Sequence, residues 1–287
     1  MISGTQYERI ARRLVDESRK GRITTCAFTA AVPTIAAQLK RDAGSGLLKL
    51  WGRSRNFDEF AQDIIVHPKI LTVIGTLAQE KIRDGQSYHA GLIHTYGYLF
   101  SWLQTPFGYK RKRWLNHTIE EGLGLPRRTL TAEPKQGTLL QNVTWCLGQI
   151  ALCDCRQWKR ASAENSDIAE VLRDYAFAAL KSSRITEDVT VTDAGGKRRI
   201  SLRTDMVELQ ANRRGSAPQS LVVYSVKDPR LGGVRLISTF TTEAAHIHEL
   251  CQLHALGRQQ PIRPRYNCYI EGFPNGTLLG HRRLTQN

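Results

Sequence analysis

Val189-Thr190-Val191-Thr192-Asp193-Ala194-Gly195-Gly196-Lys197-Arg198-Arg199-Ile200-Ser201-Leu202-Arg203 is where the chain changes period. Val189 and Val191, then Ile200 and Leu202, alternate with polar residues on either side of the turn-forming Asp193–Gly196. That pattern is a β-hairpin. Downstream, Leu221–Val226 reads as a buried strand, and Asp228–Gly233 is a turn into a strand over Val234–Phe240. Thr241 or Thr242 can cap a helix that runs to about Leu256 and ends before Gly257. Pro274-Asn275-Gly276 signals a further hairpin between Tyr266–Ile270 and Thr277–Arg283.

Upstream of residue 184 the apolar period is helical. Tyr7, Ile10 and Leu14 mark a first helix that ends before Gly21. Thr24–Leu39 is a second apolar segment, which Pro33 should break or kink. Asn56–Val66 opens like a capping box and predicts a short helix. Lys69–Lys81, Ser87–Leu103, Lys110–Glu121 and Thr138–Trp158 predict four more, and Asn165 or Ser166 caps another to about Ser182. Helices followed by antiparallel strands make the expected class α+β. The expected organisation is a helical domain over 1–184 and an antiparallel sheet with one packed helix over 185–287.

The 287 residues suffice for a core without staples, and 41% apolar content suits a folded chain. The longest apolar runs fall far short of the roughly 20 residues of a membrane span. The N-terminus turns polar at once, so no signal peptide and a cytoplasmic location are expected. The 6 cysteines lie mostly in apolar periodic segments, which suits free buried thiols. The formal net charge is +15, and only 12 of the 41 cations are lysine. Arginine's planar fork suits phosphates and guanine edges, so nucleic acid is the leading partner. A smaller phosphorylated ligand or a merely solvated basic surface would share that charge.

Charge and aromatic rings concentrate between Tyr96 and His117. Six aromatic residues run from Tyr96 to Tyr109, and Lys110, Arg111, Lys112 and Arg113 then lead into Trp114. Tyr96, Leu99 and Leu103 suit the core, whereas Trp102, Tyr109 and Trp114 are candidates to stack bases beside the four cations. Lys110, Arg113 and His117 would share one face of a continuous helix. On the hairpin, period 2 places Arg199 and Arg203 together, opposite Ile200 and Leu202, as a second candidate phosphate contact.

Other constellations are weaker. His246, His248, Cys251 and His254 share a predicted helix. Gln252 stands where a His-Glu-x-x-His zinc motif needs its second histidine, so no metal or other cofactor is expected. His246 and His248 remain candidate acid–base residues for an enzyme acting on nucleic acid or a small anion. Cys146, Cys153 and Cys155 lack the short paired spacing of a zinc ribbon. Asp205, Glu208 and Lys227 form a degraded version of a metal-dependent nuclease pattern, with Ser225 in place of the second acid. The expectation is a nucleic-acid-binding protein, a subunit of a nucleoprotein complex with further protein partners and without a membrane partner.

Overall fold

The computed structural model describes residues 4–58, 61–80, 87–105, 108–164, 182–193, 196–210, 219–243, 247, 248 and 252. The fold is α+β, with its helices mostly in the N-terminal half. Helices α1 (Gly4–Arg19), α2 (Thr25–Ala31), α3 (Pro33–Asp42) and α4 (Pro68–Leu77) come first. The Thr24 hydroxyl accepts from Ala27 N–H and caps α2. Pro33 opens α3, where its missing N–H costs nothing. The second apolar segment is therefore two helices.

Of the helix expected over 56–66, the described residues 56–58 and 61–66 are not helical. Asn56 Nδ2 donates to Val66 O at 2.5 Å, and Val66 N–H donates to Asn56 Oδ1 at 2.9 Å. The amide thus spends itself on closing a ten-residue loop instead of capping a helix. Ser87–Leu103 is also not one helix. Strand β1 (Arg53–Arg55) pairs antiparallel with β2 (Ser87–His89). His89 then caps a helical turn, α5 (Ala90–Leu92), by accepting Leu92 N–H on Nδ1. Its Nε2 lies 3.0 Å from Leu48 O and so carries the proton. Burial pushes His89 down to about 4. A π-helical turn follows over Ile93–Gly97. After Leu99 the chain opens into a small hairpin, β3 (Gln104–Thr105) against β4 (Gly108–Tyr109).

Lys110–Glu121 is divided as well. A 3-10 turn spans Lys110–Trp114, and α6 spans Thr118–Gly122. Between them His117 is left-handed, with φ of 59°. Lys110, Arg113 and His117 therefore do not share a helical face. Helix α7 (Leu139–Ala151) starts on a capping box formed by Thr138 and Gln141. It ends before Trp158 because α8 (Arg156–Glu164) folds back on it. Gly148 permits this return, since a Cβ there would meet the Trp158 ring at 2.4 Å.

Strands β5 (Ser182–Asp193), β6 (Gly196–Glu208), β7 (Gln219–Asp228) and β8 (Gly233–Glu243) form one antiparallel sheet in that order. Val207, Leu221, Val223, Val234 and Leu236 join the same core as α1–α4 and α7. Ile200, Leu202, Met206, Val222, Tyr224 and Val226 make a second cluster, against which Ile247 packs. Apolar contact on both faces explains why Leu221–Val226 is apolar without alternation. The helical stretch and the sheet share one core, and Gly52 N–H donates to Leu236 O at 2.9 Å across their junction. Among the described residues, no helix is long and apolar enough to cross a membrane. The helix expected after Ser166, most of the one before Gly257, the loop with Arg213 and Arg214 and the last hairpin lie outside those residues.

One buried polar knot joins three parts of the helical half. Asp42 accepts from Thr138 Oγ1 at 2.6 Å and from Tyr96 OH at 2.7 Å. Gln38, one turn earlier, accepts Leu139 N–H and donates to Ala132 O. Burial pushes the Asp42 carboxyl up to about 6, against the two hydroxyl donors. A carboxyl raised on folding stabilises the fold while protonated, and that contribution is lost as pH rises through its folded value. Wild-type melting temperature should therefore fall relative to that of Asp42→Asn between about pH 4 and about pH 6. Parallel melting curves for the two proteins across that window would show that Asp42 does not titrate there.

Candidate nucleic-acid interface

Trp114 decides how the basic stretch sits. Its ring is 1% exposed. Its Nε1–H donates to His94 O at 2.7 Å. The indole is thus a core anchor with no face left for a base. With the 3-10 turn pinned by Trp114, the four cations before it point in different directions.

Lys110 and Arg113 gather at Tyr98, whose ring is buried. Lys110 Nζ forms an ion pair with Asp58 Oδ2 at 2.8 Å and lies 5.7 Å from the ring centre. The Arg113 guanidinium lies 4.6 Å from the same centre. The His94 ring meets it edge-on at 4.9 Å. Burial holds His94 well below its ordinary value, and Arg113 and Lys110 reinforce the shift. Burial also lowers Arg113.

Arg111 and Lys112 belong to a different assembly. The Arg111 guanidinium is 3.9 Å from the Trp102 ring centre and 4.2 Å from that of Tyr109. Its Nε lies 3.5 Å from Glu8 Oε1 on α1. Arg12, one turn further along α1, lies 4.9 Å from the Trp102 ring, and Lys112 lies 5.6 Å from the Tyr109 ring. The result is a ladder of Arg12, Trp102, Arg111, Tyr109 and Lys112. Arg111 is buried, the two rings are half-buried, and the end cations Arg12 and Lys112 are exposed. Each exposed cation–π contact is worth about 0.5–1 kcal/mol. Arg9 and Arg13 are exposed on α1 beside Arg12, and among the described residues none of these three, nor Lys112, forms a salt bridge.

Arg199 and Arg203 lie on one face of β6, as period 2 requires, but in different settings. Arg199 is exposed and pairs with Asp188, which also accepts from Ser201 Oγ at 2.6 Å. Arg203 is 7% exposed, and its Nη2 lies 2.6 Å from Asp154 Oδ2 in the turn between α7 and α8. Arg184 joins the network through Asp205 at 2.5 Å and Asp154 at 3.4 Å. Burial raises the Asp205 carboxyl despite Arg184. Arg203 therefore ties a helical turn to the sheet and presents no free guanidinium to a ligand.

His248 is exposed, with its Nε2 2.7 Å from Gln252 Nε2. His246, Cys251 and His254 lie outside the described residues. Cys146 is buried and its thiol is pushed up by burial. Cys153 is exposed, because the turn ending α7 lifts it off the apolar face. Asp205 pairs with Val223 and Lys227 with Ser201, so the acid and the lysine stand four ladder positions apart and do not converge. Arg12 and His94 were not singled out by the sequence pattern. Arg12 lies 90 residues from Trp102 and its contact is tertiary. His94 had a weak signal, its spacing of four from Tyr98 on one helical face.

Because Arg203 is structural, Arg203→Met should lower stability by about 1–3 kcal/mol by leaving buried Asp205 and its partner Asp154 less compensated. Urea unfolding measures that change, and an unchanged midpoint would contradict the assignment. Compared with known proteins, the chain matches no family model, no curated sequence and no solved structure.

Proposed function

We propose that the chain binds nucleic acid, mainly through phosphates, as a subunit of a cytoplasmic nucleoprotein complex with other proteins. One observation carries this reading: the ladder from Arg12 to Lys112 ends in exposed cations seated on aromatic rings and, among the described residues, outside any salt bridge. A base stacked on an aromatic ring contributes about 1–3 kcal/mol, more than the about 0.5–1 kcal/mol of an exposed cation on the same ring. A base can therefore take the place of Lys112 on Tyr109, or of Arg12 on Trp102. The displaced cation is then free to neutralise a phosphate. Buried Arg111 contacts both rings, so little ordering is left for the binding step. Arg9 and Arg13 extend the same surface along α1 for further phosphates.

The residues to change are Arg9, Arg12, Arg13 and Lys112, which can be replaced without removing a salt bridge. Their combined change to Ala should make the slope of log affinity against log salt shallower by roughly 0.7 for each phosphate no longer neutralised on a single-stranded oligonucleotide. Fluorescence anisotropy across a salt series reads the slope. The same slope in the folded variant would remove the ladder from the binding surface. Trp102→Leu and Tyr109→Leu should weaken binding at all salt concentrations and leave the slope alone, since they remove stacking and not charge.

A further inference from the structure

The cluster at Tyr98 is separate from the ladder and leaves three buried nitrogens without hydrogen-bond partners. His94 is 1% exposed, yet neither Nδ1 nor Nε2 has a hydrogen-bond partner. Arg113 Nη1 is likewise buried and unpartnered. Asp58 lies 2.8 Å from Lys110, and its charge with the Tyr98 hydroxyl partly compensates the Arg113 guanidinium, which among the described residues forms no salt bridge of its own. A buried polar group without a partner costs roughly 1–3 kcal/mol, and more when it is charged. Three such nitrogens around one ring are therefore an expensive arrangement to keep. They also stand on irregular backbone, since His94 lies in the π-helical turn Ile93–Gly97. Such turns occur frequently at functional sites. Trp114 fixes that turn from beneath by bonding His94 O, so the imidazole cannot move away with its backbone.

We propose that His94 and Arg113, with Lys110 beside them, form a binding site for a single phosphate group. The guanidinium offers the fork that phosphate oxygens accept in pairs, and the imidazole adds one neutral N–H. Asp58 holds Lys110 in place and offsets part of its charge, so the site is complemented by an anion of low charge. Arg113 is more exposed than His94, although its Nη1 is buried. Phosphate could come free in solution, as inorganic phosphate or a small monoester, or as the 5′ end of a nucleic-acid strand. The recognising chemistry is the same in both cases.

The test is calorimetric titration of the full chain with inorganic phosphate at constant ionic strength, and with one oligonucleotide carrying either a 5′-phosphate or a 5′-hydroxyl. The expected result is saturable one-site binding of phosphate, of the 5′-phosphorylated strand in preference to its twin, or of both. Phosphate alone marks a free ligand, and the difference between the strands marks a strand end. Arg113→Gln and His94→Phe should each weaken that binding by roughly ten- to a hundredfold, as expected for removal of a hydrogen bond to a charged group. His94→Phe keeps an aromatic ring at the site and removes both nitrogens, so it carries the test should Arg113→Gln fail to fold. The Arg9, Arg12, Arg13 and Lys112 variant should retain the phosphate site, which separates it from the proposed nucleic-acid surface. Absence of saturable binding of phosphate and of any preference between the two strands in the wild type would overturn the site. So would unchanged affinity in folded His94→Phe.

Discussion

The hydrogen bond from the Trp114 indole to the His94 carbonyl fixes the most unusual part of this chain. It joins the end of a run of four cations to a π-helical turn in the core. With Trp114 buried, neighbouring residues on a 3-10 turn must leave in different directions, because that turn has about 3 residues per revolution. Lys110 and Arg113 go to the Tyr98 side, Arg111 goes between Trp102 and Tyr109, and Lys112 goes to solvent. One buried ring thus sorts four adjacent charges into two separate assemblies. Each assembly uses aromatic faces to compensate cations that a simple apolar core would reject.

The same economy recurs at the junction of helices and sheet. Arg184 and Arg203 engage Asp154 and Asp205 across the end of α7, and burial is offset there by charge. Glu120, fully buried on α6, accepts the backbone N–H groups of Arg128, Thr129 and Leu130 and pairs with His117 at 2.7 Å. These contacts hold the irregular connector after α6 without secondary structure of its own. Several of the charges that make the chain basic therefore act within the fold. The surface available to a polyanion is smaller than the net charge of +15 suggests.

The class and the main sheet were legible because period is a local property. Alternation around Asp193–Gly196 and the apolar run at Leu221–Val226 translate directly into β5, β6 and β7. Pro33 does interrupt its apolar segment, which splits into α2 and α3, and Thr138 does open a helix. Segments were misread where a side chain served a distant partner. Asn56 looks like a helix cap and instead pairs with Val66; Trp158 continues a helical stripe yet folds back over Gly148. His117 adopts a left-handed conformation that no pattern in its neighbourhood demands. For the site, the concentration of charge and rings was visible, but its allocation was not. Whether Trp114 or Lys112 reaches solvent depends on contacts with His94 and Tyr109, which composition and spacing do not encode.

Amine-selective labelling of the full chain, read by mass spectrometry with and without a single-stranded oligonucleotide, tests the sorting of charges most directly. Lys112 should label readily in the free protein and be protected by the oligonucleotide, while Lys110, ion-paired with Asp58, should resist labelling in both. Equal labelling of Lys110 and Lys112 in the free protein would contradict the arrangement set by Trp114. Undiminished labelling of Lys112 at saturating oligonucleotide would contradict its part in binding.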